Sequence, residues 1–179
     1  MAQREALRDL QARLAERLQA ARTSEGKQAW LAVEAGPAGI LLPLEQAGEI
    51  FPLGEILPLP HARPWFLGVA NLRGGLHGVV DLAGFLGLRP NGGAGGPARE
   101  GGRLVALNPV LRSLVALRID HMSGLRRADD MTAVPLTQRR PPFAGRQWRD
   151  AQGRPWLELD LAELAASPAF IAIAAEETA

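Results

Sequence analysis

The sequence predicts an all-β fold with a helix near each end of the chain. Eight or nine short apolar runs recur between turns rich in glycine and proline. These runs do not alternate with helical patterns, as they would in a protein built from strand–helix–strand units. At 179 residues, of which 47% are hydrophobic, the chain is large enough to bury a core as one domain or as two small intertwined lobes.

Residues 1–26 carry the longest helical pattern. Four leucines recur at spacings of three and four residues, namely Leu7, Leu10, Leu14 and Leu18. Such spacing puts them on one face of an amphipathic helix, with arginines and acids over the rest of its surface. The pattern leaves two interpretations open, a helix packed on its own domain or a docking helix for a partner or second copy.

The strand region starts after Gln28. A first hairpin joins 30–33 to 40–42, and the stretch 43–50 is either a helical turn or an extended run that begins with a proline. Further strands are predicted at 65–70, 76–82, 103–107, 113–120, within 122–136, at 147–149 and at 155–160. A leucine-rich stretch at 161–166 predicts a closing helix. We expect the folded domain to span 28–166 and the Ala-rich residues 167–179 to form a loosely held tail.

A polar corner, Asn71-Leu72-Arg73-Gly74-Gly75, separates two of these apolar runs. Asparagine and glycine tolerate positive φ, so the pattern predicts a strand, a tight turn and a second strand. Arg73 has no acidic residue within five positions on either side. The corner therefore presents an arginine either to solvent or to a contact from elsewhere.

The residues that carry chemistry do not form a recognisable reactive site. The chain has no cysteine, which excludes disulfides, thiol catalysis and cysteine-based metal sites. Its histidines lack metal-binding spacing and lie in separate regions: His61, His77 and His121. Asp81 and Asp120 each end an apolar run, and we expect them to accept backbone N–H bonds in the following turn. We expect no cofactor, no metal and no catalytic site, which favours a binding module.

Net charge and hydropathy limit the classes of partner and the cellular location that we expect. The formal net charge of +1 gives no reason to expect nucleic acid or direct membrane insertion. No apolar run approaches the ~18 residues needed to span a membrane, and the first residues lack the apolar centre of a signal peptide. We expect a cytoplasmic protein.

Four blocks follow one another between residues 28 and 166. The first block is Leu42-Pro43-Leu44 together with Glu49-Ile50. The second is Gly68-Val-Ala-Asn-Leu-Arg-Gly74 together with Asp81-Leu82. The third and fourth are residues 118–122 and 156–164. Their content and order resemble the chemotaxis coupling-protein (CheW) family, and most closely its members in chemosensory systems that control type IV pili. The chain departs from the family pattern at Gly75, where a basic residue is usual, and at Gly78, where proline is usual.

This resemblance implies two small SH3-like five-stranded β-barrels that share a core, without catalytic activity. It implies an adaptor at membrane-associated receptor arrays, with two partners. These are the cytoplasmic tip of a methyl-accepting chemoreceptor and the regulatory domain of a CheA-like histidine kinase. The residues that match the family's partner-binding positions are Glu49, Gly68, Asn71, Arg73 and Gly74.

Two questions stay open from the sequence. Arg73 contacts a partner directly or holds its own corner, for example by pairing with Glu49. The alternative to an adaptor is a small β-barrel ligand-binding protein or enzyme, which would need several titratable groups converging in one pocket.

Overall fold

The computed structural model describes residues 28–89, 102–135 and 139–173. Its strands are β1 (Ala29–Ala35), β2 (Ala38–Pro43), β3 (Ala47–Pro52), β4 (Phe66–Leu72), β5 (Gly75–Asp81), β6 (Arg103–Leu107), β7 (Val115–Ile119), β8 (His121–Arg127), β9 (Thr132–Val134), β10 (Ala144–Arg149) and β11 (Pro155–Leu159). Its α-helices are α1 (Leu82–Phe85), α2 (Leu161–Ala166) and α3 (Pro168–Ile171). Two 3-10 turns lie at Pro109–Leu111 and Ala128–Asp130. The helix predicted over 1–26 lies outside the described residues.

The strands form two sheets, which confirms the predicted all-β class. One has six strands in the order β8-β1-β2-β11-β10-β9, and the other has five in the order β3-β6-β7-β5-β4. Each sheet contains one parallel pair, β2 with β11 and β5 with β7, among antiparallel neighbours. The prediction of five strands holds for one lobe, while the other lobe has six.

The described part of the chain has eleven strands rather than eight or nine. The stretch 43–50, left open by the sequence, ends β2 and then forms β3 at one edge of the five-stranded sheet. The region 122–136 is divided between β8 and the three-residue β9, again at sheet edges. Edge strands expose many side chains and show weak alternation, so sequence patterns undercount them.

Three hydrophobic clusters correspond to two lobes with a shared core. The largest joins residues of both sheets, including Leu31 of β1, Val105 of β6 and Leu159 of β11. A second cluster belongs to the six-stranded sheet and contains three tryptophans, Trp30, Trp148 and Trp156, and a third belongs to the five-stranded sheet. Each lobe therefore has its own small core in addition to the common one.

The chain remains folded beyond the point where the sequence predicted a loose tail. After Ser167 it forms α3, and the side chain of Phe170 is only 4% exposed. Its ring packs edge-on against Phe85 at 5.2 Å and stacks with Trp65 at 6.3 Å. Burial of an aromatic ring stabilises by about 2 kcal/mol, enough to hold this short helix against the domain. The predicted tail boundary at 167 was therefore too early, and residues 174–179 lie outside the described part.

Candidate functional site

The corner between β4 and β5 is a tight turn, as the sequence predicts. Arg73 and Gly74 adopt φ values of 50° and 81°. The Asn71 Oδ1 accepts a hydrogen bond of 2.8 Å from the Gly74 N–H, which closes the turn. Asn71, Arg73 and Gly74 are all exposed. We call residues 71–75 together with Glu49 the arginine corner.

Arg73 pairs with an acid that is distant in sequence. Its Nη2 lies 2.7 Å from the Glu49 Oε1, and the two side chains are 77% and 43% exposed. Glu49 belongs to β3 and Arg73 follows β4, and these are the two opposite edges of the five-stranded sheet. The ion pair therefore bridges the two edges of the sheet. Because both groups remain so exposed, they also stay accessible to a partner.

Gly68 lies apart from the exposed corner. It is buried, has φ +130°, and stands where the pairing of β4 with β5 shifts register. A Cβ added there would come within 2.0 Å of the Leu57 carbonyl oxygen. Leu57 and Val69 exchange backbone hydrogen bonds of 2.8 and 2.9 Å at this point. Glycine at 68 thus lets the winding segment before β4 lie directly against that strand.

Gly78 also has a packing explanation. A Cβ at this position would come within 3.0 Å of the Phe66 ring. The strand nevertheless runs unbroken through Gly78, which pairs with Val69 on one side and Val115 on the other. The departure from the family's usual proline therefore leaves β5 intact and makes room for an aromatic ring.

A cavity of about 450 Å³ adjoins the arginine corner. Arg73, Asn71 and Glu49 line it together with Glu55 of the segment that winds towards β4. Glu55 is the first acidic residue upstream of Arg73, 18 positions before it (73 minus 55), but the sequence assigned it no role at the corner. Only the path of this segment against β4 brings the second carboxylate to the same cavity.

A larger feature, which we call the apolar groove, lies between the six-stranded sheet and the segments next to the five-stranded one. Its volume is about 900 Å³. Side chains of β2, β10 and β11 form one wall, and α1, α3 and the residues before β4 form the other. Apolar and aromatic side chains dominate the lining, including Ile40, Trp65, Phe85, Phe143 and Leu157.

Four buried or half-buried charges meet at the junction of the lobes. Asp81 ends β5 and its carboxylate lies 3.2 Å from Arg89 and 3.4 Å from Arg118 of β7. Asp120, between β7 and β8, also pairs with Arg89 and lies 3.8 Å from Arg118. We call these residues the junction quartet.

The junction quartet corrects one prediction from the sequence. Asp120 does accept a backbone N–H bond, at 2.7 Å, but from Gly36 in the β1–β2 turn and not from its own following turn. Asp81 accepts from arginine side chains. A signal was present, since Arg118 interrupts the apolar run of β7, and a charge inside such a run requires a buried partner.

Asp120 makes stability depend on pH. Burial alone would raise its pKa, but the hydrogen bonds from Arg89 and the Gly36 N–H, with the charges of Arg89 and Arg118, hold the pKa below its ordinary value of 3.8. A folded-state pKa below the unfolded one stabilises the protein above the unfolded pKa, and this stabilisation is lost as pH falls through the folded pKa.

We therefore expect Asp120→Asn to lower the free energy of unfolding by about 2 kcal/mol at neutral pH, where wild type keeps its charged hydrogen bonds. Below the folded-state pKa of Asp120, the free energies of unfolding of the two proteins should converge, because the wild-type carboxyl is then neutral. Urea unfolding at several pH values measures the difference. A gap that stays constant with pH would show that the Asp120 charge does not contribute.

The histidines remain apart in the structure, on the segment before β4, on β5 and on β8. Within the three described ranges, no three histidine or carboxylate side chains gather as metal ligands would. No helix in that part of the chain is long and apolar enough to cross a membrane. The two surfaces that we consider as candidate sites are the arginine corner and the apolar groove.

A family model described as the CheW-like domain matches residues 29–169. The chain belongs to the CheW-like domain family. The match covers both sheets, the arginine corner and the first residues of α3. It confirms the family suggested by the four sequence blocks.

Individual relatives of this CheW-like protein agree with the family match. The chain is 29% identical over 156 residues to Protein PilI of Pseudomonas aeruginosa, covering 84% of this chain and 83% of that protein. It is 28% identical over 115 residues to a probable chemotaxis protein CheW of Rhizobium etli, covering 64% and 70%. The crystal structure of the scaffolding protein TtCheW from Thermoanaerobacter tengcongensis superposes with a TM-score of 0.60 at 16% identity, covering 75% and 85%. This last likeness supports the fold.

Proposed function

We propose that this CheW-like protein is a non-catalytic adaptor that couples a chemoreceptor to a CheA-like histidine kinase in a chemosensory array. The observation that carries the proposal is the open apolar groove between the lobes of a CheW-like domain. Similarity to PilI supports a system that controls type IV pili and twitching motility. The adaptor acts in the cytoplasm, at arrays of membrane-embedded receptors.

The apolar groove suits the helical tip of the receptor. An amphipathic helix binds by laying its apolar face into a hydrophobic groove, with anchors spaced three and four residues apart. Here the groove offers Trp65, Phe85 and Phe143 as large apolar surfaces. The rings pack on one another, Phe85 at 5.1 Å from Trp65 and 5.7 Å from Phe143. A prepacked surface loses little side-chain entropy when a helix binds.

The arginine corner suits a polar contact with the second partner, the regulatory domain of the kinase. The turn fixes the backbone of Arg73, and the Arg73 guanidinium is mostly exposed. The guanidinium can therefore bind a carboxylate or carbonyl with little loss of conformational entropy. Glu49, Asn71, Arg73 and Gly74 form this surface in our proposal. Gly68 contributes indirectly, because the absence of a side chain there lets the segment that carries Glu55 pack against β4.

Binding experiments with both partners test the adaptor function. The purified chain is immobilised and offered a kinase regulatory domain and a receptor hairpin fragment from a pilus-linked system. We expect retention of both, without turnover of small molecules. Retention of neither, at concentrations where an established coupling protein retains both, would contradict the proposal.

Arg73→Ala is expected to weaken the contact with the kinase regulatory domain by about 1–3 kcal/mol while leaving thermal stability nearly unchanged, because it truncates one interfacial charge. Isothermal titration against each partner and thermal unfolding measure the two effects. Arg154→Ala is the matched control, since Arg154 also forms a surface ion pair, 2.9 Å from Glu34, but on the other lobe. Equal losses of stability and binding in Arg73→Ala would assign Arg73 a structural role.

The apolar groove gives no support to the alternative, a small-molecule enzyme or ligand-binding protein. Of the described residues that line the apolar groove, only Arg63 and Arg140 are charged, and none is a histidine or carboxylate. General acid–base chemistry would need such groups within hydrogen-bond reach of a ligand.

A further inference from the structure

The apolar groove borders the place where the described chain ends. Ala172 lines the groove. The next carbonyl, that of Ile173, accepts a hydrogen bond of 2.7 Å from the backbone N–H of Arg63, which also lines the groove. The described chain therefore ends at the wall of the groove.

The charges of the groove and of residues 174–179 are opposite. Among its described lining residues, the ionisable side chains are Arg63 and Arg140. Residues 174–179 read Ala-Ala-Glu-Glu-Thr-Ala and contain two acids, Glu176 and Glu177, without a basic residue. Apolar walls lower the local dielectric, so attraction between these groups is stronger there than in open water.

The reach of this segment also fits. Glu177 is four residues beyond Ile173, so it can extend at most ~14 Å from the groove wall. A compact cavity of about 900 Å³ is roughly 10 Å across, so either glutamate can reach the opposite wall. Attachment at the groove edge also gives the segment an effective concentration in the millimolar range.

We propose that residues 174–179 fold back over the apolar groove, with Glu176 and Glu177 facing Arg63 and Arg140, and compete with a helix that binds there. Exposed ion pairs are individually weak, so the segment reduces affinity modestly and leaves the groove available to a partner. The position of the segment is independent of the proposed adaptor function. The competition rests on that function, because it needs the receptor helix as the competitor.

Residues 1–27 are a poorer occupant of the groove. They contain six basic and four acidic residues, so their net charge is positive, like that of the two arginines in the lining. The leucine face predicted for them would match the apolar lining, however, and a second copy of the chain could also supply either segment. The test therefore includes both of these occupants as outcomes.

Disulfide trapping tests the position, and the absence of native cysteine leaves no background. In the full chain, Ala144→Cys on β10 in the groove is combined with Thr178→Cys. The control pair joins Thr178→Cys to Leu76→Cys, an exposed site on β5 that does not line the groove. A third pair, Leu14→Cys with Ala144→Cys, reports on the first residues of the chain.

We expect the 144–178 pair to form an intrachain disulfide at least tenfold faster than the control pair, and more slowly at high salt. Mass spectrometry of tryptic peptides and electrophoresis separate intrachain from interchain products. Equal rates for the two pairs, preferential trapping of the 14–144 pair, or mainly crosslinked dimers would each overturn the proposal.

Charge removal tests the competition. Glu176→Gln with Glu177→Gln should bind the receptor hairpin fragment about two- to fivefold more tightly than wild type at low salt. This gain in affinity should vanish near 0.5 M salt, because the Debye length there is only about 4 Å and the charges are screened from one another. Glu45→Gln with Glu163→Gln removes the same charge from exposed sites outside the groove and should not change affinity. If the variant with Glu176→Gln and Glu177→Gln bound the receptor fragment with wild-type affinity, the proposed competition would be wrong. Failure of wild type to bind the fragment would contradict the adaptor function, and the trapping result would still decide the position.

Discussion

Gly68→Ala is expected to lower the free energy of unfolding by about 3 kcal/mol or more. Two costs add: the positive φ of +130°, which L side chains rarely adopt, and a Cβ that would lie 2.0 Å from the Leu57 carbonyl oxygen. The overlap involves backbone, so relief requires the segment before β4 to move away from that strand. For a chain of this size, the midpoint of thermal unfolding should fall by about 6–12 °C.

Gly74→Ala is the matched control for this prediction. Gly74 also has a positive φ, +81°, but a Cβ there would meet no atom within 4 Å. Only the conformational cost of about 1 kcal/mol applies, so the difference between the two variants isolates the overlap at Leu57. Equal midpoints for the two would disprove the steric argument. A stable Gly68→Ala that loses partner binding would instead place Gly68 in an interface, as the family resemblance implies.

The second large effect is expected at the junction quartet. Asp81→Asn should lower the free energy of unfolding by about 3 kcal/mol, because Arg118 then keeps its charge while largely buried and beside a neutral side chain. Asp81 is 2% exposed, so water cannot replace the lost carboxylate. Denaturant unfolding measures the loss, and the exposed Asp130→Asn, with an expected change within about 0.5 kcal/mol, is the control.

A double variant separates the charge from the shape of the site. Adding Arg118→Met to Asp81→Asn removes the buried guanidinium that has lost its nearer carboxylate, and should recover part of the lost stability. If the double variant is less stable than Asp81→Asn alone, Arg118 stabilises mainly through its other contacts, such as that with Asp120 at 3.8 Å. Asp120 would then be enough to stabilise the charge of Arg118 without Asp81.

Much of the local structure could be predicted. The β1–β2 hairpin, the corner between β4 and β5, and the helix at 161–166 all follow from short stretches of sequence. In each case the determining contacts lie within a few residues, such as the Asn71 side chain that accepts the Gly74 N–H. The family resemblance extended this to two lobes with a shared core, which the two sheets and their common cluster confirm.

The predictions that were wrong concern features that depend on contacts between segments distant in sequence. The number of strands was too low because edge strands such as β9 have few buried residues. The tail boundary was too early because α3 is held by the rings of Trp65 and Phe85, far from it in sequence. The arginine corner was anticipated as a turn with an exposed arginine. Its ion pair with Glu49 was one of two open alternatives, and whether Arg73 also binds a partner stays a prediction.

The sequence by itself determined the all-β class, the family and the conformation of the arginine corner, because turn-forming residues and apolar runs act locally and in chain order. The tertiary structure alone decided which charges meet and where an open surface forms. Asp81, Arg89, Arg118 and Asp120 converge only because β5 pairs in parallel with β7 and the β1–β2 turn approaches Asp120. The apolar groove likewise exists only where strands of the six-stranded sheet face α1, α3 and the residues before β4. Such neighbours are set by long-range pairing and core packing, which no local stretch of sequence encodes.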